Sequence, residues 1–188
     1  PLEPDAALAA IQRGVRDDDV VLATTGFTGR ALYALGDRPG QLYMVGSMGC
    51  ASSMGMGLAI ARPERRVVVI DGDGAMLMRM GAVATIAHEA PRNLVHVLLD
   101  NAVHDSTGAQ ATISPFVDRA AVAGVCGYPS VVRPTGEAEL SRAIAEAGAG
   151  PVFIHARTLP RSDHKLPRPT IKPYEVADRL RSWLDESS

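Results

Sequence analysis

The chain alternates short continuous apolar runs with longer segments in which apolar residues recur every three or four positions. The short runs predict buried strands, and the longer segments predict helices with one apolar face. Because the two patterns alternate, we expect an α/β fold, a doubly wound and mostly parallel sheet with helices on both faces. The predicted strands cover residues 20–23, 42–45, 67–70, 94–99, 131–132 and 152–156, and the predicted helices cover 5–15, 30–35, 50–61, 76–90, 115–124, 137–147 and 174–184.

Residues 159–173 interrupt this alternation. They contain four prolines and several charged residues, so we expect an extended arm that leads into the closing helix. The pattern contains neither an internal repeat nor a linker that would divide the chain. We therefore expect residues 1–188 to form a single domain, with the arm and the closing helix at its end.

Two predicted strands end in polar residues that suit a cation. The β-branched run 67–70 leads through Asp71 into a Gly-Asp-Gly turn, and the apolar run 94–99 ends in Asp100-Asn101. In a parallel sheet the carboxyl ends of neighbouring strands meet at one edge, where ligands bind. A hard divalent cation prefers carboxylate and amide oxygens of this kind, and its charge holds a phosphate or diphosphate. We therefore expect a metal and phosphate site at this edge.

The strand predicted at 20–23 is followed by a Thr-Thr-Gly-Phe-Thr-Gly segment at 24–29. Hydroxyls and glycines between a strand end and a helix start are typical of anion-binding turns. An ordinary turn is the alternative, and this segment alone does not decide between the two.

The predicted helix at 50–61 contains Gly55 and Gly57, each of which costs a helix about 1 kcal/mol relative to alanine. We expect these glycines to allow the close approach of a neighbouring backbone. They do not form the G-x-G-x-x-G sequence of dinucleotide-binding turns, and no such sequence lies between a predicted strand and a helix start. We therefore exclude NAD binding of that kind.

Composition limits the partners and the compartment. A net charge of −2 gives no indication of nucleic acid or a membrane surface as partner. Cys50 and Cys126 have neither metal-ligand spacing nor a disulfide framework, so we expect small packed residues in a reducing, cytoplasmic setting. No apolar run approaches the roughly 20 residues that span a bilayer, and we expect no signal peptide before the first helix.

The Gly-Asp-Gly turn, the spacing of about 25 residues and the ending Asn101 together resemble the motif of thiamine diphosphate-dependent enzymes. Most members end the motif in Asn-Asn, and here Asp100 takes the place of the first asparagine. The resemblance implies that Mg²⁺ is bound by the side chains of Asp73 and Asn101 and by the backbone carbonyl of Val103.

The resemblance also implies contacts with the diphosphate of the cofactor. The backbone amides of Gly74 and Ala75 would reach it directly, and Gly72 belongs to the same turn. Thr25 and Thr28, on the neighbouring strand end, are further candidates.

A Gly-Ser-Met-Gly segment at 46–49 resembles the part of these decarboxylases that binds the aminopyrimidine. By that resemblance, Gly46 supplies a backbone carbonyl to the pyrimidine, and Ser47 lies in the same turn. Met48 is the bulky apolar residue that bends the cofactor into a V, which presses its 4′-amino group against the reactive C2. The alternative for Met48 is a methionine of the core.

Other segments resemble the phosphonopyruvate and sulfopyruvate decarboxylases in particular. These segments are 24–26 with 29–30, 46–49, 99–101 with 106–110, and 166–170. The resemblance implies decarboxylation of a small anionic 2-oxo acid, either 3-phosphonopyruvate or 3-sulfopyruvate, to an aldehyde and carbon dioxide. The segment 103–110 favours the phosphonate substrate. A non-catalytic module that binds the cofactor or a partner chain is the remaining alternative.

The resemblance covers only the diphosphate-binding half of such an enzyme. The glutamate that activates the cofactor at N1′ of its pyrimidine comes from a separate pyrimidine-binding domain, and we expect Glu64 and Glu89 to be solvated instead. We therefore expect a β-type subunit, or part of a longer chain, in a homo- or hetero-oligomer. Its partner would be a pyrimidine-binding domain or α subunit that supplies the glutamate.

The polar stretch 102–114, which follows a strand end, holds the candidates for proton transfer and substrate contact. His104 and Asp105 come first among them because they directly follow the metal loop and because histidine transfers protons near neutral pH. The alternative for His104 is a histidine that only hydrogen-bonds within its loop. Further candidates in this stretch are Ser106, Thr107 and Gln110.

The remaining polar residues give weaker indications. Arg30 and Arg79 carry charges that suit an anionic head group, but their positions are also typical of solvated helix residues. The other histidines show no metal-ligand spacing, and we expect them to be structural or exposed; they are His88, His96, His155 and His164.

Overall fold

The computed structural model describes residues 1–162 and 166–186, so His164 lies outside the described residues. The strands are β1 (Val20–Ala23), β2 (Gln41–Tyr43), β3 (Val67–Gly72), β4 (Leu94–Asp100), β5 (Val103–His104), β6 (Gln110–Ala111), β7 (Ser130–Val132) and β8 (Val152–Arg157). The helices are α1 (Pro4–Gly14), α2 (Phe27–Leu35), α3 (Ala51–Ala61), α4 (Asp73–Met78), α5 (Gly81–Glu89), α6 (Arg119–Cys126), α7 (Glu137–Ala145) and α8 (Pro173–Glu186).

Six strands form a parallel sheet in the order β2-β1-β3-β4-β8-β7, and β5 pairs with β6 in a separate antiparallel hairpin. The apolar run 67–70 is fully buried at the centre of the sheet, as its lack of polar positions predicts. The predicted fold class, a parallel α/β sheet with helices, is confirmed.

The helices form two layers because the direction of the crossovers changes. The chain passes from β1 to β2 in one direction along the sheet and then from β2 to β3 and β4 in the other. Since such crossovers are right-handed, a reversal of direction places the connecting helices on opposite faces. The packing agrees with this rule, because α1 contacts both α2 and α7, whereas α5 contacts α3 and α6. The reversal also leaves a crevice at the carboxyl ends of β1 and β3.

The predicted helix at 76–90 is wrong, because the structure has two helices, α4 and α5, in its place. The chain leaves helical geometry at Arg79, where φ is −134° and ψ is 41°. The turn at 46–49 packs against this break, since a Cβ on Gly49 would lie 2.7 Å from Arg79 Cγ. Met80, which follows the break, is exposed.

The polar stretch 102–114 has more structure than predicted, since it contains the β5–β6 hairpin and a 3₁₀ turn at Asp105–Thr107. The predicted helix at 115–124 is shifted, because a 3₁₀ turn at Ser114–Phe116 precedes α6. The Asp118 side chain accepts a hydrogen bond from the Ala121 backbone amide, and this N-cap sets the start of α6.

The remaining boundary differences are small. Helix α2 begins at Phe27 rather than at residue 30, and β2 ends at Tyr43 rather than at residue 45. The described parts of the arm, 159–162 and 166–172, contain neither helix nor strand. In the portion of the chain that the structure describes, no helix combines the length and apolar character needed to cross a membrane.

The two glycines of α3 differ in their surroundings. A Cβ on Gly55 would lie 2.2 Å from Val69 Cγ2 on β3, so this glycine allows helix and sheet to approach closely, as predicted. Gly57 has nothing within 4 Å of the same position, so the expectation of a close contact there is wrong.

Gly55→Ala should destabilise the protein by about 1–3 kcal/mol, because the added methyl group overpacks a buried contact with Val69. Gly57→Ala is the matched control on the same helix. It should stabilise the protein by up to about 1 kcal/mol, since it only improves helix propensity. Urea unfolding of both variants measures the difference, and equal effects would contradict the assigned packing.

Candidate functional site

A cleft opens at the carboxyl ends of β1, β3 and β4, beside the crevice that the reversal of direction creates. It contains most of the site residues that the sequence predicts, which lie far apart along the chain. These lining residues are Thr25, Thr28, Met48, Gly72, Asp73, Gly74, Ala75, Asn101, Val103, His104 and Asp105. Gly46 instead lines a neighbouring cleft that shares Thr25 with the first, and Ser47 lines neither of the two.

Asp73 is buried at the junction of β3 and α4. Its Oδ2 accepts a hydrogen bond from Thr112 Oγ1 and lies 3.9 Å from Arg119 Nη2. Burial raises the pKa of Asp73 above its ordinary value; the hydrogen bond from Thr112 opposes this shift, and the nearby charge of Asp100 adds to it. Asp73 is therefore a buried carboxylate that a cation would stabilise.

Asp100 lies at the end of the neighbouring strand and is held by several donors. Ser114 Oγ donates to its carboxylate, and His155 Nε2 lies 2.8 Å from its Oδ2. Burial acts to raise the pKa of Asp100, but the hydrogen bonds from His155 and Ser114 outweigh it and lower the pKa to about 2. Because the carboxylate is ionised, the His155 Nε2 atom is the donor.

The Asn101 side chain is fixed at both of its ends. Its Oδ1 accepts a hydrogen bond from the Val103 backbone amide at 3.1 Å, and its Nδ2 donates to Asp105 Oδ2 at 2.7 Å. An amide oxygen has two lone pairs, so Oδ1 keeps one for a further ligand. Asp105 is fixed in turn by the Arg161 backbone amide, which donates to the same Oδ2 at 3.1 Å.

The Gly-Asp-Gly turn has no room for a side chain at its second glycine. A Cβ on Gly74 would lie 2.4 Å from His104 Cε1 and 3.4 Å from Met48 Cε. The turn thus brings the His104 ring and the end of the Met48 side chain together over the bare backbone of Gly74. Ser106 closes the opposite side of the cleft, since its Oγ would lie 3.2 Å from a Cβ on Gly26.

The turn at 46–49 has an unusual backbone conformation and places Met48 in the cleft. Gly46, Ser47 and Gly49 all have positive φ angles, and only the glycines adopt such angles without strain. The Gly46 amide donates to Thr25 Oγ1 at 3.2 Å, which ties the turn to the end of β1. Met48 is half-buried and lines the cleft, so its side chain is not a fully buried core residue.

Two buried oxygens that line this cleft, Thr24 Oγ1 and Asp105 Oδ1, have no hydrogen-bond partner. A buried polar atom without a partner is costly, so both atoms indicate a ligand in the cleft. No three His, Cys, Asp or Glu side chains cluster around a metal position within the ranges 1–162 and 166–186. A magnesium site here would instead combine a carboxylate with amide and backbone oxygens, which are ligands that Mg²⁺ accepts.

The structure also places polar residues at the site that the sequence did not single out. Thr112 and Arg119 contact Asp73, and Ser114 and His155 contact Asp100. These contacts link segments that are distant in sequence and carry no motif. The helix predicted at 115–124 places Arg119 in its interior, and only the structure shows that this cation lies in the first turn of α6, where it is electrostatically unfavourable.

Other predicted candidates lie away from the cleft. Thr107 and Gln110 are exposed and hydrogen-bond to each other. The Arg30 guanidinium lies over the Phe27 ring and donates to the Leu166 carbonyl at 3.3 Å, and Arg79 is exposed.

The remaining histidines and cysteines are packing or surface residues. His96 is fully buried, with its Nε2 3.5 Å from Asp71 Oδ2 and its Nδ1 3.2 Å from the Tyr128 hydroxyl. His88 is exposed. Cys50 and Cys126 are free and half-buried.

Comparison with known proteins connects this geometry to a family. The family model described as "Thiamine pyrophosphate enzyme, C-terminal TPP binding domain" matches residues 27–156. The chain is 48% identical to a phosphonopyruvate decarboxylase from Streptomyces viridochromogenes over 95% of its own length, and it spans 45% of that relative. It is 44% identical to a sulfopyruvate decarboxylase subunit beta from Methanothermobacter thermautotrophicus, over 81% of this chain and 82% of that relative.

Solved structures share the fold at low sequence identity. A thiamine diphosphate-dependent 4-hydroxybenzoylformate decarboxylase from Rhodococcus jostii superposes with a TM-score of 0.73 at 19% identity. The match covers 86% of this chain and 33% of that one. The chain therefore belongs to the thiamine pyrophosphate-dependent enzyme family, and it carries that family's C-terminal TPP-binding domain.

Proposed function

We propose that this chain is the diphosphate-binding half of a decarboxylase that uses Mg²⁺ and thiamine diphosphate to convert 3-phosphonopyruvate to phosphonoacetaldehyde and carbon dioxide. One observation carries the proposal. The paired ends of β3 and β4 bring Asp73 and Asn101 into one cleft with the backbone of Gly74, although these residues belong to two separate segments.

Asp73 and Asn101 would hold Mg²⁺ through side-chain oxygens, and Val103 would add its backbone carbonyl. The geometry supports this role, since Asn101 Oδ1 keeps a lone pair and the Thr112 hydroxyl contacts Asp73 through its Oδ2. The amides of Gly74 and Ala75 lie in the first turn of α4, where amides have no i−4 carbonyl partner, and they would donate to the diphosphate. In the structure the Gly74 amide also hydrogen-bonds to the Asp73 carboxylate.

Thr25 and Thr28 line the same cleft as the Gly-Asp-Gly turn and add hydroxyl donors for the diphosphate. Gly72 also lines the cleft and, without a side chain, leaves room for the diphosphate beside these hydroxyls. The unpartnered Thr24 Oγ1 is a further donor on the same strand end, which the sequence reasoning passed over.

Gly46 and Met48 would orient the remainder of the cofactor. The Gly46 backbone is exposed, and its carbonyl would accept a hydrogen bond from the pyrimidine. Ser47 lies in the same turn and has a positive φ angle. Met48 reaches toward Gly74 and would support the bend of the cofactor. When bound, thiamine diphosphate supplies an electron sink for the pair released as carbon dioxide leaves.

His104 is the candidate for proton transfer, because its ring lies against Gly74 inside the cleft. Asp105 holds Asn101 through Oδ2, and its unpartnered Oδ1 is available for a proton or a substrate contact. The substrate would be a small anionic 2-oxo acid.

A partner domain would complete the site. The chain spans 45% of the phosphonopyruvate decarboxylase from Streptomyces viridochromogenes but 82% of a sulfopyruvate decarboxylase subunit beta. Both figures support a half-enzyme that works with a pyrimidine-binding domain, on the same chain or on an α subunit. No glutamate lines the cleft within the described ranges, which supports a partner as the source of the activating glutamate and hence an oligomer.

The β subunit of a sulfopyruvate decarboxylase is the second candidate. The 44% identity to the Methanothermobacter subunit, over 82% of that relative, favours it. The two candidate substrates differ only in the anionic head group.

Asp73→Ala should abolish Mg²⁺-dependent binding of thiamine diphosphate, because it removes the carboxylate from the cation site. Isothermal titration of the cofactor with and without Mg²⁺ measures this loss. Asp17→Ala, which removes an exposed carboxylate, is the matched control and should bind as wild type does. Undiminished binding by Asp73→Ala would refute the metal assignment.

Met48→Ala should lower turnover by roughly ten- to a hundredfold at saturating cofactor, because a misplaced reactive group reacts slowly. Met48→Leu keeps the bulk of the side chain and should retain most of the activity. Steady-state rates of the complete enzyme measure both variants. Equal rates for the two would show that bulk at this position is not required.

Carbon dioxide release identifies the substrate and the need for a partner. The chain with Mg²⁺, thiamine diphosphate and its pyrimidine-binding partner should decarboxylate 3-phosphonopyruvate faster than 3-sulfopyruvate. The chain without the partner should release none. A faster reaction with the sulfonate would favour the second candidate, turnover by the chain alone would refute the partner requirement, and no release from either substrate would favour a non-catalytic module.

A further inference from the structure

A buried arginine lies beneath the cleft between two carboxylates. Arg119 is 1% exposed and is one of the largest fully buried side chains in the described ranges. Its Nη1 lies 3.6 Å from Asp100 Oδ2, and its Nη2 lies 3.9 Å from Asp73 Oδ2. Both carboxylates are themselves buried, so three formal charges meet where water does not screen them.

The position of Arg119 has a cost that its helix does not offset. Arg119 is the first residue of α6, directly after the N-cap Asp118. A cation at this end of a helix faces the positive end of the helix dipole, and a buried guanidinium also loses its hydration. Among the described residues, the carboxylates that pair with Arg119 are those of Asp73 and Asp100, and they compensate its buried charge.

The distances show a loose arrangement rather than a tight salt bridge. Within residues 1–162 and 166–186, the Arg119 side chain donates from Nη1 to the Val117 carbonyl at 3.5 Å, and its Nη2 has no hydrogen-bond partner. At 3.9 Å, Nη2 contributes its charge to Asp73 but does not form a hydrogen bond with it. The Asp73 carboxylate is contacted by the Thr112 hydroxyl and the Gly74 backbone amide, and Arg119 takes up none of its lone pairs.

We infer that Arg119 is an internal counterion and a positioning residue for the metal site. It keeps Asp73 and Asp100 side by side when no divalent cation is bound, and it does so without occupying the oxygens of Asp73. This inference rests on the proposed function for the identity of the cation. It follows that removal of Arg119 makes the two carboxylates depend on a divalent cation.

The first test is a cycle of variants in the complete protein, this chain with its partner domain, in EDTA. Arg119→Met should lower the Tm by about 10 °C, because it leaves two buried carboxylates without their cation. Asp100→Asn should lower it less, since Arg119 keeps Asp73 as a partner. The double variant Arg119→Met/Asp100→Asn should recover at least half of the Tm that Arg119→Met loses. It removes the negative charge of Asp100 together with the positive charge of Arg119, so that Asp73 is the one buried charge of the cluster that is left.

If the double variant loses as much Tm as the two single variants together, the counterion role of Arg119 is overturned. Should Arg119→Met fail to fold in EDTA, the double variant and Arg119→Lys decide the matter. If the double variant and Arg119→Lys both fold in EDTA, the inference is supported. If neither of them folds, it is overturned.

The second test repeats the melts with saturating Mg²⁺, and it separates positioning from packing. Mg²⁺ should raise the Tm of Arg119→Met at least twice as much as that of wild type, because the cation then supplies the positive charge that Arg119 gave to the two carboxylates. Arg119→Lys keeps the charge and should show a shift close to that of wild type. Equal shifts for Arg119→Met and wild type would reduce Arg119 to a packing residue.

The two proposals can fail separately. If Mg²⁺ raises the Tm of none of these proteins, including the wild type, the metal site of the proposed function is wrong. The variant cycle in EDTA still decides whether Arg119 is a counterion, since that cycle contains no metal.

Discussion

The pairing of β3 with β4 is the constraint on which the site depends. Gly72 lies opposite Leu99 in this parallel register, so the next residues, Asp73 and Asp100, emerge side by side at the same edge. A slip of one residue would turn each side chain to the other face of the sheet. The register is stabilised ahead of β4 by Asn93, whose Nδ2 donates to the carbonyls of Ala59, Arg62 and Arg65.

The same register gathers negative charge in the interior, and the surrounding structure compensates it. In the motif that the chain resembles, Asp100 takes the place of a neutral asparagine, which would need no counterion. Here the carboxylate receives hydrogen bonds from Ser114 and His155, and Arg119 adds a positive charge. An unpaired buried charge is strongly destabilising, so these residues have to accompany Asp100 as a set.

Sequence patterns predict the parts of this site that local chemistry determines. The apolar runs at 67–70 and 94–99 predict the central strands, and the polar residues that end them predict the edge at which the cleft opens. The patterns miss what long-range packing determines. The break between α4 and α5 lies where the turn at 46–49 packs, and the position of Arg119 reflects carboxylates on two other strand ends.

The proposed division of labour between this chain and a partner is consistent with the same geometry. Strand register and buried counterions are internal to the sheet, so the features proposed to bind metal and diphosphate need no second domain. The turn at 46–49 differs, because Gly46 and Ser47 are exposed and have positive φ angles. Its exposed groups are therefore not enclosed by the sheet and helices of this chain. Under the proposed function, a ligand that bridges both regions would be anchored by this chain and enclosed by the partner domain. The chain matches relatives of two different lengths, spanning 45% of one and 82% of the other.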